Sequence, residues 1–311
     1  FFVSALQLHF FLTFRFVELF LLYLMIVNKV LKQQEIVFCI LLGLCVQAMI
    51  AIYQYLLQGS LGLKFLGEAE VNATTLGVAK IDVGAQKILR AFGTMPHANV
   101  LGGLLFMGIM YSLAFVKKYR WLVLSVLVLF AFGLLFTFSK SAFFAVIVAI
   151  LLYISVQNRK IGVKYIFLVM SLLLFFIVIF HFVDTAAMQE RTQYLKIGGD
   201  MLFDQPLGVG LGGFTLQMQD YSITKLVPWL FQPVHNIFLL MANELGIAAG
   251  LLFIAVFVYS FYRLLKLIRK YQNHESLFSA ALLLAILSGI VVIGFFDHYF
   301  ITIYQGQVML F

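Results

Sequence analysis

Apolar runs long enough to cross a bilayer recur along the whole chain, and they leave few options for its fold. A transmembrane helix needs about 20 mostly apolar residues. On that rule the 311-residue sequence carries candidate spans at 10–27, 36–57, 99–116, 121–137, 141–157, 165–183, 236–258 and 276–296. A further one begins near Ile301. Charged residues make up 11% of the chain, where a soluble domain carries about 25%. A soluble domain and a disulfide scaffold are therefore excluded. A transmembrane β-barrel is excluded too, because its strands alternate apolar and polar positions over segments of about 10 residues. The expected fold is all-α. It is a polytopic transmembrane helical bundle forming one integral membrane domain over 1–311. The long loops 58–98 and 184–235 should lie outside the cytoplasm, and this loop region should contain short amphipathic helices. The chain opens on Phe1 and closes inside an apolar run, so we expect further spans beyond one or both ends.

Loop charge sets the orientation, since Lys and Arg favour the cytoplasmic side. The loops 28–35, 117–120, 158–164 and 262–275 hold twelve of the 21 basic residues, from Lys29 to Lys270, against Glu35 and Glu275. The net charge of +8 is thus an orientation signal and not a nucleic-acid footprint. With both long loops outside, chemistry on ATP or nucleotide sugars is not expected. The only cysteines, Cys39 and Cys45, share one apolar run. Six residues apart on a helix, they point about 120° away from each other and cannot bridge.

Polar residues at membrane depth are costly and tend to be functional. Arg90 precedes a Gly93-Thr94 and Pro96-His97 turn at the start of the span at 99. With Asn99 near the N-cap, it reads either as an anion clamp at a helix entrance or as an arginine snorkelling to water. Lys140 lies in the short outer turn Thr137-Phe138-Ser139-Lys140-Ser141. It is either a cation over an outer cavity or an interfacial lysine. Residues 187–203 read as an amphipathic helix carrying Arg191 and Tyr194 and ended by Pro206. Gly208-Val209-Gly210-Leu211-Gly212-Gly213 matches GxGxxG by letter. A dinucleotide site also needs a preceding strand and a βαβ unit, so that reading is rejected. A turn, an anion-binding nest or a hinge remains.

His235 opens the span 236–258. A helix N-terminus disfavours positive charge, which suits a neutral imidazole that accepts a proton. A histidine hydrogen-bonded at a helix start is the alternative. Glu244 is expected to glue helices together, and Gly246 and Gly250 form a GxxxG packing step. Asp297 and His298 mark a second polar cluster at the outer end of the last full span. Local spacing shows no metal motif, so neither a metal nor a cofactor is expected.

Four local patterns occur in one order. They are Arg90-Ala91-Phe92-Gly93-Thr94 with Asn99; Thr137 to Ser141; Arg191 with Pro206-Leu207-Gly208-Val209-Gly210-Leu211-Gly212 and Phe214; and His235-Asn236 with Glu244-Leu245-Gly246. Together they resemble the O-antigen ligase and O-antigen polymerase family of bacterial membrane glycosyltransferases, of the glycosyltransferase C type. The resemblance runs from about residue 36 onward. It implies an enzyme of the inner membrane, with its active site facing the periplasm. Such an enzyme moves a glycan from an undecaprenyl-pyrophosphate carrier to a sugar hydroxyl, without metal, cofactor or nucleotide sugar. By the same resemblance, Arg90 and Arg191 hold the donor pyrophosphate and His235 activates the acceptor. Lys140 stands where the family usually has Arg; the charge is kept but the bidentate fork is lost.

The leading expectation is a ligase placing O-antigen on lipid A–core, with the lipid bilayer as its solvent and no nucleic acid as partner. The alternatives are a polymerase of the same family and, from another class, a transporter or flippase. A transporter should show paired repeats with broken mid-membrane helices. Here the polar residues cluster at one face instead.

Overall fold

The computed structural model describes residues 5–30, 32–83, 86–157, 185–270 and 274–310. The expected span 165–183 lies outside the described residues, as do Arg159, Lys160 and Lys164. In chain order the helices are α1 (Ala5–Val27), α2 (Gln33–Leu57), α3 (Ala98–Leu113), α4 (Arg120–Thr137), α5 (Lys140–Gln157) and α6 (Thr185–Asp204). They continue with α7 (Gly213–Gln217), α8 (Ile237–Leu245), α9 (Ile247–Lys270), α10 (His274–Phe296), α11 (Tyr299–Thr302) and α12 (Tyr304–Leu310). One antiparallel hairpin, β1 (Lys80–Val83) and β2 (Gln86–Leu89), pairs Lys80 with Leu89. The fold is all-α and polytopic. Among the described residues α1, α2, α4, α5, α9 and α10 are long and apolar enough to cross a membrane.

One expectation needs correction. The run 236–258 is not one span: it breaks at Gly246, which has φ +89°. A left-handed φ is open to glycine and strained for residues with a Cβ, so α8 ends there and α9 starts afresh. Gly246 therefore forms the break and is not half of a packing step within one helix. Beyond Ile301 the described chain continues in the helices α11 and α12. The loop 58–98 holds a β-hairpin and a 3₁₀ turn at Lys64–Leu66. The other long loop does carry the expected amphipathic helix, α6.

Contacts divide the chain into two compact units. The first is Tyr23–Ile147; the second is Phe1–Leu22 with Val148–Phe311. In the first, α3 is the inner helix. At 16 residues it is about 24 Å long, and nearly every residue from Ala98 to Ser112 is buried. It packs with α2 and α4 around Leu44, Ala48, Leu101, Leu105, Phe130 and Leu134. Lipid tails are as apolar as these side chains, so helices gain little by hiding from lipid; close contact at small residues holds them together. A Cβ added to Gly108 would lie 2.8 Å from Phe130 Cε2. One added to Gly133 would lie 3.1 Å from both Ala48 Cβ and Leu105 Cδ1.

In the second unit α8 is the buried element, with Ile237, Leu240, Asn243 and Glu244 inside. Helix α9 lies against it where Gly250 meets Ala242, and Ile237 packs on Gly294 of α10. Most of α9 faces outward, since only Gly250 and Phe257 are buried. Its last turns carry Arg263, Lys266, Arg269 and Lys270, so these cations lie on a helix where a loop had been expected. Arg269 and Lys270 also complement the negative end of the helix dipole.

Replacing Gly133 by Leu forces α2 and α4 apart. We expect a loss of about 1–3 kcal/mol, seen as a lower melting temperature of the detergent-solubilised protein. An unchanged melt would mean that this helix contact is looser than described.

Candidate functional site

The first unit presents Arg90. Strand β2 delivers it, and its own N–H reaches the Ala79 carbonyl at 3.2 Å. Its Nε donates to the Thr137 carbonyl at 2.7 Å, and Nη2 donates to Asn99 Oδ1. The neighbouring Ala91 N–H bonds the Phe136 carbonyl at 2.9 Å. Phe136 and Thr137 end α4, where carbonyls lack helical partners. Arg90 therefore caps α4 while tethering Asn99. The helix cap of α3 is His97 and not Asn99: His97 Nδ1 accepts the Asn99 N–H at 3.1 Å. Arg90, Phe92, Pro96 and His97 line a cavity of ≈ 80 Å³ together with Val71 and Val78. Lys140 is the exposed first residue of α5. The helix dipole opposes a cation there, so this position does not favour stability.

Two glutamines of α2 hold the segment that follows Arg90, and sequence reasoning missed both. Gln54, fully buried, accepts from Gly93 N at 2.8 Å and Phe92 N at 3.2 Å. Its amide donates to the Gly93 carbonyl at 2.8 Å and to Glu68 Oε1 at 2.6 Å. Glu68 in turn accepts the N–H groups of Leu61 and Leu63. Gln47 both accepts from Thr94 N and donates to Thr94 Oγ1, each at 2.9 Å. The available signal was polarity inside an otherwise apolar span.

The second unit presents Arg191, His235 and their supports. On α6, Tyr194, Ile197 and Met201 are buried. Arg191 is half-buried one turn before Tyr194, so the two share a face. The Tyr194 ring stacks on the His235 imidazole, with centroids 5.6 Å apart and planes 14° from parallel. Tyr194 Oη donates to the Leu230 carbonyl at 3.0 Å. Burial, and then the charge of Glu190, push the phenol up to about 12, so it stays neutral. His235 lies one residue before the N-cap of α8. That cap is Asn236, whose Oδ1 accepts from Phe238 N and Leu239 N, both at 3.0 Å.

The glycine run 208–213 is a strap on the end of α8. Val209 N bonds the Asn243 carbonyl at 2.9 Å and Gly210 N bonds the Glu244 carbonyl at 2.8 Å. Gly208 N bonds Gln205 O, and Ile247 N bonds Pro206 O, both at 2.9 Å. The Glu244 carboxylate accepts from the backbone of Gly212 and Phe214. Gly208, Gly210 and Gly212 all have positive φ. The N–H groups of Gly208 and Gly210 are thus engaged within the fold, and the geometry supports a structural strap for these two residues.

Asp297 and His298 reach the same histidine. The His298 ring meets His235 edge-on, 5.0 Å away at 80°. Asp297 is buried, and its Oδ1 accepts the His298 N–H at 3.0 Å. His298 Nδ1 and Thr302 Oγ1 are 2.7 Å apart. Burial lowers the His298 pKa against the opposite pull of Asp297. His235, Asp297 and His298 each offer one ligand atom within 4.8 Å of the others, a grouping that linear spacing does not display.

Residues 125–254 match the model of the family described as O-antigen ligase. That match bears out the family resemblance. The matched segment contains Lys140, Arg191, the glycine strap, His235 and Asn236; Arg90 and Asn99 precede it. No curated protein matches the chain. An O-antigen ligase match on a multi-pass helical bundle indicates a membrane glycosyltransferase of the ligase or polymerase type.

Changing Gln54 to Leu removes four hydrogen bonds around Gly93 and Glu68. Each buried group left without a partner costs about 1–3 kcal/mol. We expect a clear fall in melting temperature and a faster proteolytic cut in 58–98; an unaltered melt would contradict this role.

Proposed function

We propose that this protein transfers a glycan from an undecaprenyl-pyrophosphate carrier to a sugar hydroxyl, as an O-antigen ligase acting on lipid A–core at the periplasmic face of the inner membrane. One observation carries the reading. Within the family-matched segment, His235 is held at the start of α8 against a neutral tyrosine, with Arg191 one turn away from that tyrosine. A sugar hydroxyl is a weak nucleophile and needs a base; His235 takes its proton. The freed oxygen attacks the anomeric carbon as the bond to the pyrophosphate oxygen breaks. Negative charge grows on the leaving group, and arginine donors matched to phosphate oxygens stabilise it. Arg191 has that role; the family resemblance assigns it to Arg90 as well, whose guanidinium Asn99 orients within the first unit. Lys140 adds charge without a fork. Asn236, as the cap, sets the height of His235 above α8.

The reaction needs no metal in this scheme. It inverts the anomeric centre, because the attack is direct and no carboxylate nucleophile takes part. NMR of the product linkage tests this, and a retained configuration would refute it.

The test uses the full chain in membranes with a lipid-linked glycan and a lipid A–core acceptor. His235→Ala should lower transfer by roughly 10²–10⁴-fold while leaving the melting temperature near that of the parent. Full activity in that variant removes the base from His235. Extension of the glycan on its own carrier, with the acceptor untouched, would make the protein a polymerase. Movement of the lipid-linked glycan across the bilayer without its consumption would make it a flippase.

A further inference from the structure

We propose that His235, Asp297 and His298 form a binding site for a divalent cation of the zinc class, and that occupancy of this site switches off the base. The switching half rests on the role proposed for His235; the site itself does not.

Three observations carry it. The fold brings the His235 imidazole to the adjacent carboxylate and imidazole of Asp297 and His298, with donor atoms within 4.8 Å of one another. Zinc–nitrogen bonds of about 2.0–2.1 Å place tetrahedral donors about 3.4 Å apart, so small side-chain rotations close the set. The donors are also pre-oriented. With the Nδ1 hydrogen of His298 directed to Thr302 Oγ1 at 2.7 Å, the lone pair sits on Nε2. Metal-binding histidines are held through their second nitrogen in this way. Asp297 is fixed by the His298 N–H, and the Tyr194 ring covers one face of His235. Finally, the ligand types are selective. Imidazole suits Zn, Co, Ni and Cu, whereas Mg and Ca favour oxygen-only sets. A positive ion also stabilises a carboxylate as buried as Asp297, 4% exposed.

Three protein ligands leave a coordination position open to water. The His235 lone pair used to bind the cation is no longer able to accept a hydroxyl proton. Metal binding and base catalysis therefore exclude one another at this residue.

The experiment titrates Co²⁺ into the purified, EDTA-treated full chain in detergent and follows visible absorption. We expect d–d bands saturating at one ion per chain, bleached by Zn²⁺ and unaffected by Mg²⁺. His298→Ala should abolish them. Thr302→Val, which keeps all three ligands, should weaken affinity roughly 10- to 100-fold and covers the case in which the histidine variant fails to fold. In the transfer assay Zn²⁺ should inhibit the parent, while Thr302→Val keeps basal transfer and needs roughly 10- to 100-fold more Zn²⁺ for the same inhibition. Absence of the bands, or bands that persist in His298→Ala, overturns the site. Bands without Zn²⁺ inhibition overturn the switch alone. A metal-free protein with no transfer at all would sink the proposed function and leave the Co²⁺ result standing.

Discussion

Backbone carbonyls at the ends of helices α4 and α8 need partners, and the loops that supply them also carry the functional side chains. The last four carbonyls of a helix have no partner within it. In an apolar setting water is not at hand to replace one, and each unmet group costs several kcal/mol. At α4 the partners are Ala91 N and the Arg90 side chain. At α8 they are Val209 N and Gly210 N. The same bonds that complete these helices therefore place Arg90 beside Asn99, and close the strap behind Glu244.

This economy explains why glycine is concentrated where it is. The strap runs backbone against backbone: a Cβ on Gly208 would lie 2.7 Å from the Glu244 carbonyl oxygen, and one on Gly246 would lie 2.7 Å from that of Leu207. Such contact leaves no room for a side chain. The letters GxGxxG recur in nucleotide-binding loops because glycine permits close approach to a phosphate. Here close approach serves another stretch of the same chain. Around His235 the neutral Tyr194 ring, the Asn236 cap and the His298 edge replace water with fixed neighbours, which pre-orients the imidazole.

Five of the six long helices could be read directly, because mean hydropathy over about 20 residues reports the solvent a segment prefers. The amphipathic helix α6 was legible for a similar reason: Arg191, Tyr194 and Met201 recur at helical spacing and Pro206 cannot continue the helix. The break at Gly246 was not legible. Ala, Gly and Leu on either side suit a continuous span, and what interrupts it is the strap packing from residues far away in sequence. The hairpin at 80–89 was missed because Lys80-Ile81-Asp82-Val83 is short and polar, with no turn signal strong enough to announce it. Gln47 and Gln54 passed unnoticed because two amides barely alter the hydropathy of α2, although their hydrogen bonds hold the loop that carries Arg90.

By itself the sequence determined that this chain is a multi-pass helical membrane protein, and its ordered motifs pointed to the O-antigen ligase family. Both follow from local chemistry: apolar runs seek lipid wherever they lie, and motifs are read along the chain. Only the tertiary structure decided that α8 and α9 are separate helices, that the glycine run braces one of them, and that Asp297 and His298 meet His235. Those outcomes depend on contacts between residues distant in sequence, whose energies come from packing and hydrogen bonding in three dimensions and leave no periodic trace in one.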